Sequence, residues 1–290
     1  MKQLKKAYVE ITNACNLSCP FCPAHDRPAA FMTPERFAIV LERLRGHART
    51  LFFHVKGEPL LHPDLGRLLA DAGDAGFPVR ITTNGTLLVE RLDDLRAKAN
   101  LERLQVSLHS LAQFPAAEAQ AIAERILAAS ETLRAENRAV NPSFMVSLRL
   151  WTRDDAEATR RTAAAIESFY GLEAGFVMDS LAGKNSIILK SGLAVHAAET
   201  FVWPSLDGED FGLAGFCQGL RDQAGILVDG TVVPCCLDGD GVIALGNIFE
   251  TPFADILASP RAQSLYRSFG DRRIEEPLCR RCGYRTRFNG

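Results

Sequence analysis

The sequence predicts an α/β protein: a partial (β/α)6 TIM-like barrel over residues 1–200, then a small α+β domain over residues 201–290. Three observations carry this. Short β-type runs alternate with helical patterns through residues 7–180, which implies a parallel sheet with right-handed crossovers. About six such units are present, fewer than a closed barrel needs, and each unusual motif follows a predicted strand, where barrels place their chemistry. Of eight cysteines, three lie within residues 15–22 and five beyond residue 216, with none between.

The elements follow in order. "AYVEIT" (7–12) reads as a strand running into the first cysteines. "TPERFAIVLERLRGHA" has a Thr-Pro helix start and apolar residues at helical spacing. "TLFFHV" (50–55) is a second strand, followed by the helix "PDLGRLLADAGDAG". "PVRITTNG" (78–85), a helix near 89–98, and "LERLQVSLHS" (101–110) come next. An alanine-rich helix covers 115–137, "SFMVSLRLW" (143–151) is a fifth strand, and a helix follows. "EAGFVMD" (173–179) completes the set as the expected sixth strand. Past residue 195 the texture becomes loop-like. "AGILVDGTVVPCC" then reads as a hairpin turning at Asp-Gly, and "PFADILASPRAQSLYRSF" as helix.

Composition narrows the function classes. The formal net charge is -2, and no lysine/arginine cluster marks a nucleic-acid surface. No apolar run reaches the roughly 18 residues of a membrane span, and "MKQLKKAYVEIT" lacks the apolar core of a secretory signal. The expected compartment is the cytoplasm. In a reducing compartment, clustered cysteines bind metal or do chemistry more often than they form disulfides.

Cys15, Cys19 and Cys22 are spaced CxxxCxxC. A [4Fe–4S] cluster normally takes four thiolates. A loop that donates three leaves one iron open to a small molecule. Structural zinc is the competing reading, and it needs a fourth ligand. His25, three residues past Cys22, is the candidate for it.

This spacing, with Phe21 before the third cysteine, resembles the signature of the radical S-adenosylmethionine (SAM) superfamily. "KGEP" (56–59) resembles that family's "GGEP" strand end, with Lys56 replacing the first glycine, and "TTNG" (82–85) resembles its third-strand ending. The resemblance implies a [4Fe–4S] cluster with an open iron site on Cys15, Cys19 and Cys22. It implies SAM contacts at Phe21, Gly57, Glu58, Thr83, Asn84, Ser107 and Arg149. It further implies cleavage of SAM to a 5′-deoxyadenosyl radical that takes a hydrogen atom from a substrate. The electron donor expected for such an enzyme is a flavodoxin or ferredoxin.

Four of the remaining cysteines, Cys217, Cys235, Cys279 and Cys282, fit a second, closed metal site, and their chemistry barely separates iron–sulfur from zinc. The region resembles the auxiliary-cluster segment of the SPASM/Twitch group, which implies that these four hold an auxiliary [4Fe–4S] cluster. Eight residues follow Cys282 without another cysteine, so the single-cluster, Twitch-like form is expected. In cysteine spacing the segment is most similar to a dehydrogenase branch that oxidises a cyclitol alcohol. The auxiliary cluster is expected to accept an electron from the substrate radical, or to staple a lobe with few core residues.

Cys236 is left over. It reads as a small buried apolar residue or as a hydrogen-atom donor to a substrate radical, as in related epimerases. His109, at a strand end, is a candidate base or substrate contact. His54 reads as a pocket-lining or packed residue and His62 as part of a helix entry. Lys184, Asn185, Lys190 and Trp203 are candidates to line the opening. "DGD" (238–240) reads as a solvated turn, and Arg280, Arg281, Arg285 and Arg287 as a solvated basic tail.

Three functions compete: an oxidoreductase of the Twitch type, an epimerase or peptide maturase that uses Cys236, and a non-catalytic zinc protein. No segment resembling a peptide-recognition domain precedes the first strand, which favours a small molecule or a peptide presented by a separate partner.

Overall fold

The computed structural model describes residues 2–23, 26–151, 156–199 and 201–288. The βα units run β1 (Leu4–Val9), α1 (Pro34–Leu44), β2 (Ala48–Phe53), α2 (Leu65–Asp74), β3 (Val79–Thr83), α3 (Leu92–Leu95), β4 (Leu101–Ser107), α4 (Ala116–Val140), β5 (Met145–Trp151) and α5 (Ala156–Tyr170). After α6 (Phe176–Leu181), β6 (Ser186–Lys190) and β7 (Leu193–Ala198) form a hairpin. The rest comprises β8 (Gln223–Ile226), β9 (Thr231–Val233), β10 (Gly246–Asn247), α7 (Phe253–Ala258), α8 (Pro260–Gly270) and α9 (Pro277–Arg280). One sheet holds all the strands, in the order β10-β9-β8-β1-β2-β3-β4-β5-β7-β6.

Strands β1 to β5 and β7 are parallel, so the partial barrel has six βα-type strands. The sixth is not the expected segment. Residues 173–179 form a turn and the start of α6. Gly175 adopts φ +87°, and the Glu167 carboxylate accepts the N–H groups of Gly175 at 3.0 Å and Val177 at 2.8 Å. Val177 and Leu181 then bury one face at i,i+4 spacing. The sixth strand is β7, which pairs with β5 from Val146↔Leu193 to Trp151↔Ala198. The helix expected near 89–98 is confined to α3.

Residue 200 lies just past β7. Beyond it, β8 pairs in parallel with β1 (Tyr8↔Gly225), and β9 returns antiparallel after a turn at Gly230, whose φ is +89°.

Strand alternation divides the sheet into two faces. Ala7, Val9, Leu51, Phe53, Ile81, Leu104, Val106, Val146, Leu148 and Val195 are fully buried and face the helices. Phe37 of α1 meets Phe53 edge-to-face at 5.5 Å. The opposite face carries Lys6, Tyr8, His54, Thr82, Gln105, Ser107, Arg149 and His196, most of them half-buried. Among the described residues no helix is long and apolar enough to cross a membrane.

Candidate active site

The cysteine loop leaves the end of β1 and is held by its own polar residues. Thr12 Oγ1 donates to the Ala30 carbonyl at 2.8 Å, and Asn13 bonds Pro28 O and Ala30 N at 2.9 and 2.7 Å. The return segment 26–32 thereby clamps the base of the loop. Cys22 N closes a turn onto Cys19 O at 3.0 Å. None of the eight cysteines is paired in a disulfide. Burial raises the Cys15 thiol, with the nearby Glu58, Cys19 and Cys22 adding to the shift; burial also raises Cys19. Gln113 Nε2 donates to Cys19 Sγ at 3.1 Å, a contact with no signal in the sequence. His25 lies outside the described residues.

The "KGEP" turn is docked directly on this loop. Gly57 has φ +75°, and a Cβ there would lie 2.5 Å from the Thr12 carbonyl and 2.8 Å from that of Ala14. Only glycine permits both the dihedral and the approach. Glu58 N donates to Ala14 O at 2.8 Å. The Glu58 carboxylate is 2% exposed and accepts Leu60 N at 3.0 Å and Asn84 N at 2.6 Å. Glu58 thus ties the end of β2 to the end of β3. Burial raises its pKa to about 7 despite those N–H donors.

"TTNG" is bound in turn to the cysteine loop. Asn84 Nδ2 donates to Asn16 Oδ1 at 2.9 Å, Asn16 Nδ2 donates to Thr86 Oγ1 at 2.9 Å, and Thr86 donates back to Asn84 Oδ1 at 2.7 Å. Thr83 Oγ1 accepts Gly85 N at 2.9 Å. Asn16 and Thr86 escaped the sequence reading, although Asn16 directly follows Cys15.

A second missed residue lies beneath the loop. Glu10, fully buried, accepts both terminal nitrogens of Arg27, and also Lys56 N at 3.2 Å and Val228 N at 3.0 Å. One carboxylate therefore joins the loop, the "KGEP" turn and the C-terminal hairpin. An acidic residue between Val9 and Ile11 in an apolar strand was the available signal.

Across the mouth, Ser107 of β4 and Arg149 of β5 are register partners, and Arg149 pairs onward with His196 of β7. Burial lowers the Arg149 pKa, and Tyr284, Tyr8 and Cys236 partly offset it. His109 stacks on Trp151, centroids 4.0 Å apart and planes 7° apart, while Phe21 packs 4.3 Å from Trp151 and 5.2 Å from His109. These rings line a cavity of about 260 Å³ with Gln113, Thr159 and Thr162. Burial, with Arg149 nearby, lowers the His109 pKa to about 3. The ring is thus neutral at working pH, and its basicity is poorly matched to proton abstraction there.

Cys217, Cys235, Cys279 and Cys282 line one small, largely apolar cavity with Leu237, Ile243 and Leu278. Burial raises Cys217 to about 11, and raises Cys235, Cys279 and Cys282 above the ordinary thiol value. Four half-buried soft donors around one cavity fit a thiolate-bound metal centre. Among the described residues no three side chains are gathered tightly enough to hold a single metal ion; a cluster spreads its thiolates over several irons. Cys236 points elsewhere. It packs on the inner face of the sheet beside Tyr8, Val55, Leu227 and Val233, and burial raises its thiol pKa while Tyr8 opposes that rise.

Two lesser expectations, for "DGD" and for the basic tail, are corrected, and the remaining candidates are placed. Asp238 is 2% exposed and accepts Val242 N and Ile243 N at 2.9 and 2.8 Å, so "DGD" begins with a buried turn anchor. Arg285 is buried and donates to Ala214 O and Gly212 O at 2.9 and 2.6 Å, and Arg280 pairs with Asp210. The basic tail is therefore partly structural, because loop carbonyls need donors. Lys184, Asn185 and Lys190 are exposed, and Lys190 pairs with Glu131 on α4. Trp203 packs under Lys56, 5.3 Å from its ammonium. His54 has an unpartnered Nδ1 on the inner face, and His62 is held by Met32 O and Asp64 N.

A parallel partial barrel with three thiols at its mouth and four more in one adjoining cavity defines a class: an enzyme that works with thiolate-held metal clusters. The comparisons with known proteins give the family. The model of the radical SAM superfamily matches residues 9–163, more than half of the 290, and that of the SPASM iron-sulfur cluster-binding domain matches residues 217–283. The chain belongs to the radical SAM superfamily and carries a SPASM domain, and its cofactors are a [4Fe–4S] cluster, SAM and auxiliary iron–sulfur.

Among curated relatives, a probable GTP 3',8-cyclase of Pyrobaculum aerophilum is 31% identical over 112 residues, 38% of this chain and 36% of that protein. An AdoMet-dependent heme synthase of Methanosarcina barkeri is 30% identical over 102 residues, 34% of this chain and 29% of that protein. The matches thus span about a third of those relatives. Among solved structures, BtrN in complex with AdoMet and 2-DOIA aligns with TM-score 0.57 and 18% identity over 97% of this chain and 94% of that one. SuiB of Streptococcus suis bound to precursor peptide SuiA aligns with TM-score 0.56 and 15% identity over 98% and 70%. At these identities the likeness is one of fold.

Proposed function

We propose that this chain is a radical SAM oxidoreductase acting on a small molecule or a peptide side chain. Cys15, Cys19 and Cys22 hold the [4Fe–4S] cluster with the open iron. Cys217, Cys235, Cys279 and Cys282 hold one auxiliary [4Fe–4S] cluster, in a C-terminal domain that begins near residue 201. Bound there, the cofactors would supply one-electron reduction of SAM, the hydrogen-abstracting radical chemistry that follows from it, and an acceptor for the second electron of the oxidation. The protein orients the cofactors and excludes water.

Gly57 and Glu58 fix the strand end that receives the methionine amino group, with Thr83 and Asn84 beside it. Ser107 contacts the ribose and Arg149 the carboxylate. Phe21, Trp151 and the neutral His109 form an aromatic wall for the adenine. A flavodoxin or ferredoxin supplies the electron.

The observation that carries this reading is the mutual bolting of three strand ends around the three-thiol loop: Gly57 against residues 12–14, Glu58 to Asn84, and Asn84 to Asn16. Anaerobic reconstitution tests it. About eight iron and eight sulfide per chain, with 5′-deoxyadenosine formed from SAM and reductant, are expected. Zinc in place of iron, or no 5′-deoxyadenosine, defeats the reading.

The second reading, an epimerase or peptide maturase, is favoured by one observation: Cys236 sits on the inner face, packed beside Tyr8. There it would return a hydrogen atom to the substrate.

A further inference from the structure

Lys56 occupies the position at which the family's strand end has its first glycine. It is 5% exposed. Its ammonium donates to the Pro23 carbonyl at 2.7 Å, one residue past Cys22, and lies 5.3 Å over the Trp203 ring. Its stem is held as well: a Cβ at Gly239 would lie 2.7 Å from Lys56 Cε and 3.0 Å from Cγ. The ammonium cannot snorkel to water, as lysines ordinarily do.

Among the described residues no carboxylate stands at ion-pair distance from Lys56 Nζ. The nearby Glu10 carboxylate is already taken by Arg27 in a two-point pair. Burial lowers the Lys56 pKa, with Cys22 and Asp240 opposing the shift. A buried ammonium without an anion is costly. A cluster held by three thiolates is an anion, and reduction makes it more negative.

From this placement we infer that Lys56 is a positioning residue for the N-terminal cluster: it clamps the loop through Pro23 and supplies the buried positive charge that stabilises the reduced form. Trp203 and the turn at Gly239 fix that charge from the C-terminal segment, so the two parts of the chain meet at one cation. The inference rests on the radical SAM reading and adds to it a residue that sets reduction potential.

The test is a redox titration of the reconstituted protein followed by EPR, with and without SAM. The signal that SAM perturbs belongs to the N-terminal cluster. Lys56→Met keeps most of the stem and removes the charge. Its SAM-perturbed signal is expected at a lower potential than wild type, with the other signal unmoved. Lys56→Arg, which keeps the charge, is expected to return the potential toward wild type, and it serves as the comparison if Lys56→Met assembles poorly. An intact SAM-perturbed signal with unchanged potential in Lys56→Met overturns this inference alone, as does an equal shift of both signals. A wild-type protein with no SAM-perturbed signal overturns the radical SAM reading and this inference together.

Discussion

The Glu10 carboxylate accepts Arg27 at two points, 2.7 Å to Nη1 and 2.6 Å to Nη2, in a pair whose acidic side is fully buried. The same two oxygens receive the backbone N–H groups of Lys56 and Val228. The pair is therefore less a bonus to stability than a fixed point from which the cysteine loop, the β2 end and the C-terminal hairpin all take their positions.

Breaking such a pair from one side leaves a buried group uncompensated, which costs about 3–5 kcal/mol. Arg27→Met is expected to lower stability by that order in denaturant unfolding. Glu10→Gln with Arg27→Met together is expected to cost less than the sum of the two single changes. Additive losses would show that the two side chains are not coupled.

Gly57→Ala introduces a Cβ 2.5 Å from the Thr12 carbonyl at φ +75°. The cysteine loop must move to admit it. The expected result is loss of about half the iron, with the auxiliary site still filled. Full iron content with wild-type SAM cleavage would contradict the docking of this turn on the loop.

Glu58 titrates near pH 7 in the fold because burial disfavours its charge, against an ordinary value of 4.5. The folded chain therefore holds this proton more tightly than the unfolded chain between those values. The stability contributed is present below about pH 4.5 and is lost as pH rises through about 7. Melting of the metal-free protein across this range is expected to show the decline, and Glu58→Gln to flatten it.

Cys235 and Cys236 are neighbours in sequence and face different places. Cys235→Ala is expected to lose the auxiliary iron. Cys236→Ala is expected to keep both clusters and 5′-deoxyadenosine formation. If the Cys236 variant also loses product formation while substrate radical accumulates, the epimerase reading displaces the oxidoreductase one.

Much of this was legible in the chain itself. Alternating periodicities located five barrel strands, because strand and helix periods differ and Pro, Gly and Thr-Pro punctuate them. The sixth was misplaced because "EAGFVMD" is apolar enough for a strand, whereas the capping of its turn by the Glu167 carboxylate, eight to ten residues upstream on α5, leaves no mark in the apolar pattern. The ligand residues stood out by spacing. Their supports did not: Gln113 beside Cys19 and Thr86 beside Asn16 are ordinary polar residues whose roles exist only after the sheet brings strand ends together. Arg285 and Asp238 were misread for the same reason, since charge in a loop looks solvated until loop carbonyls and N–H groups are packed around it.

The most direct measurement of the central claim is electron–nuclear spectroscopy of the reduced, reconstituted protein with SAM labelled at its amino nitrogen. The account predicts hyperfine coupling of that nitrogen to the N-terminal cluster, abolished in Cys19→Ala. A cluster that shows histidine nitrogen in its place, from His25 or elsewhere, and no coupling to SAM would contradict it.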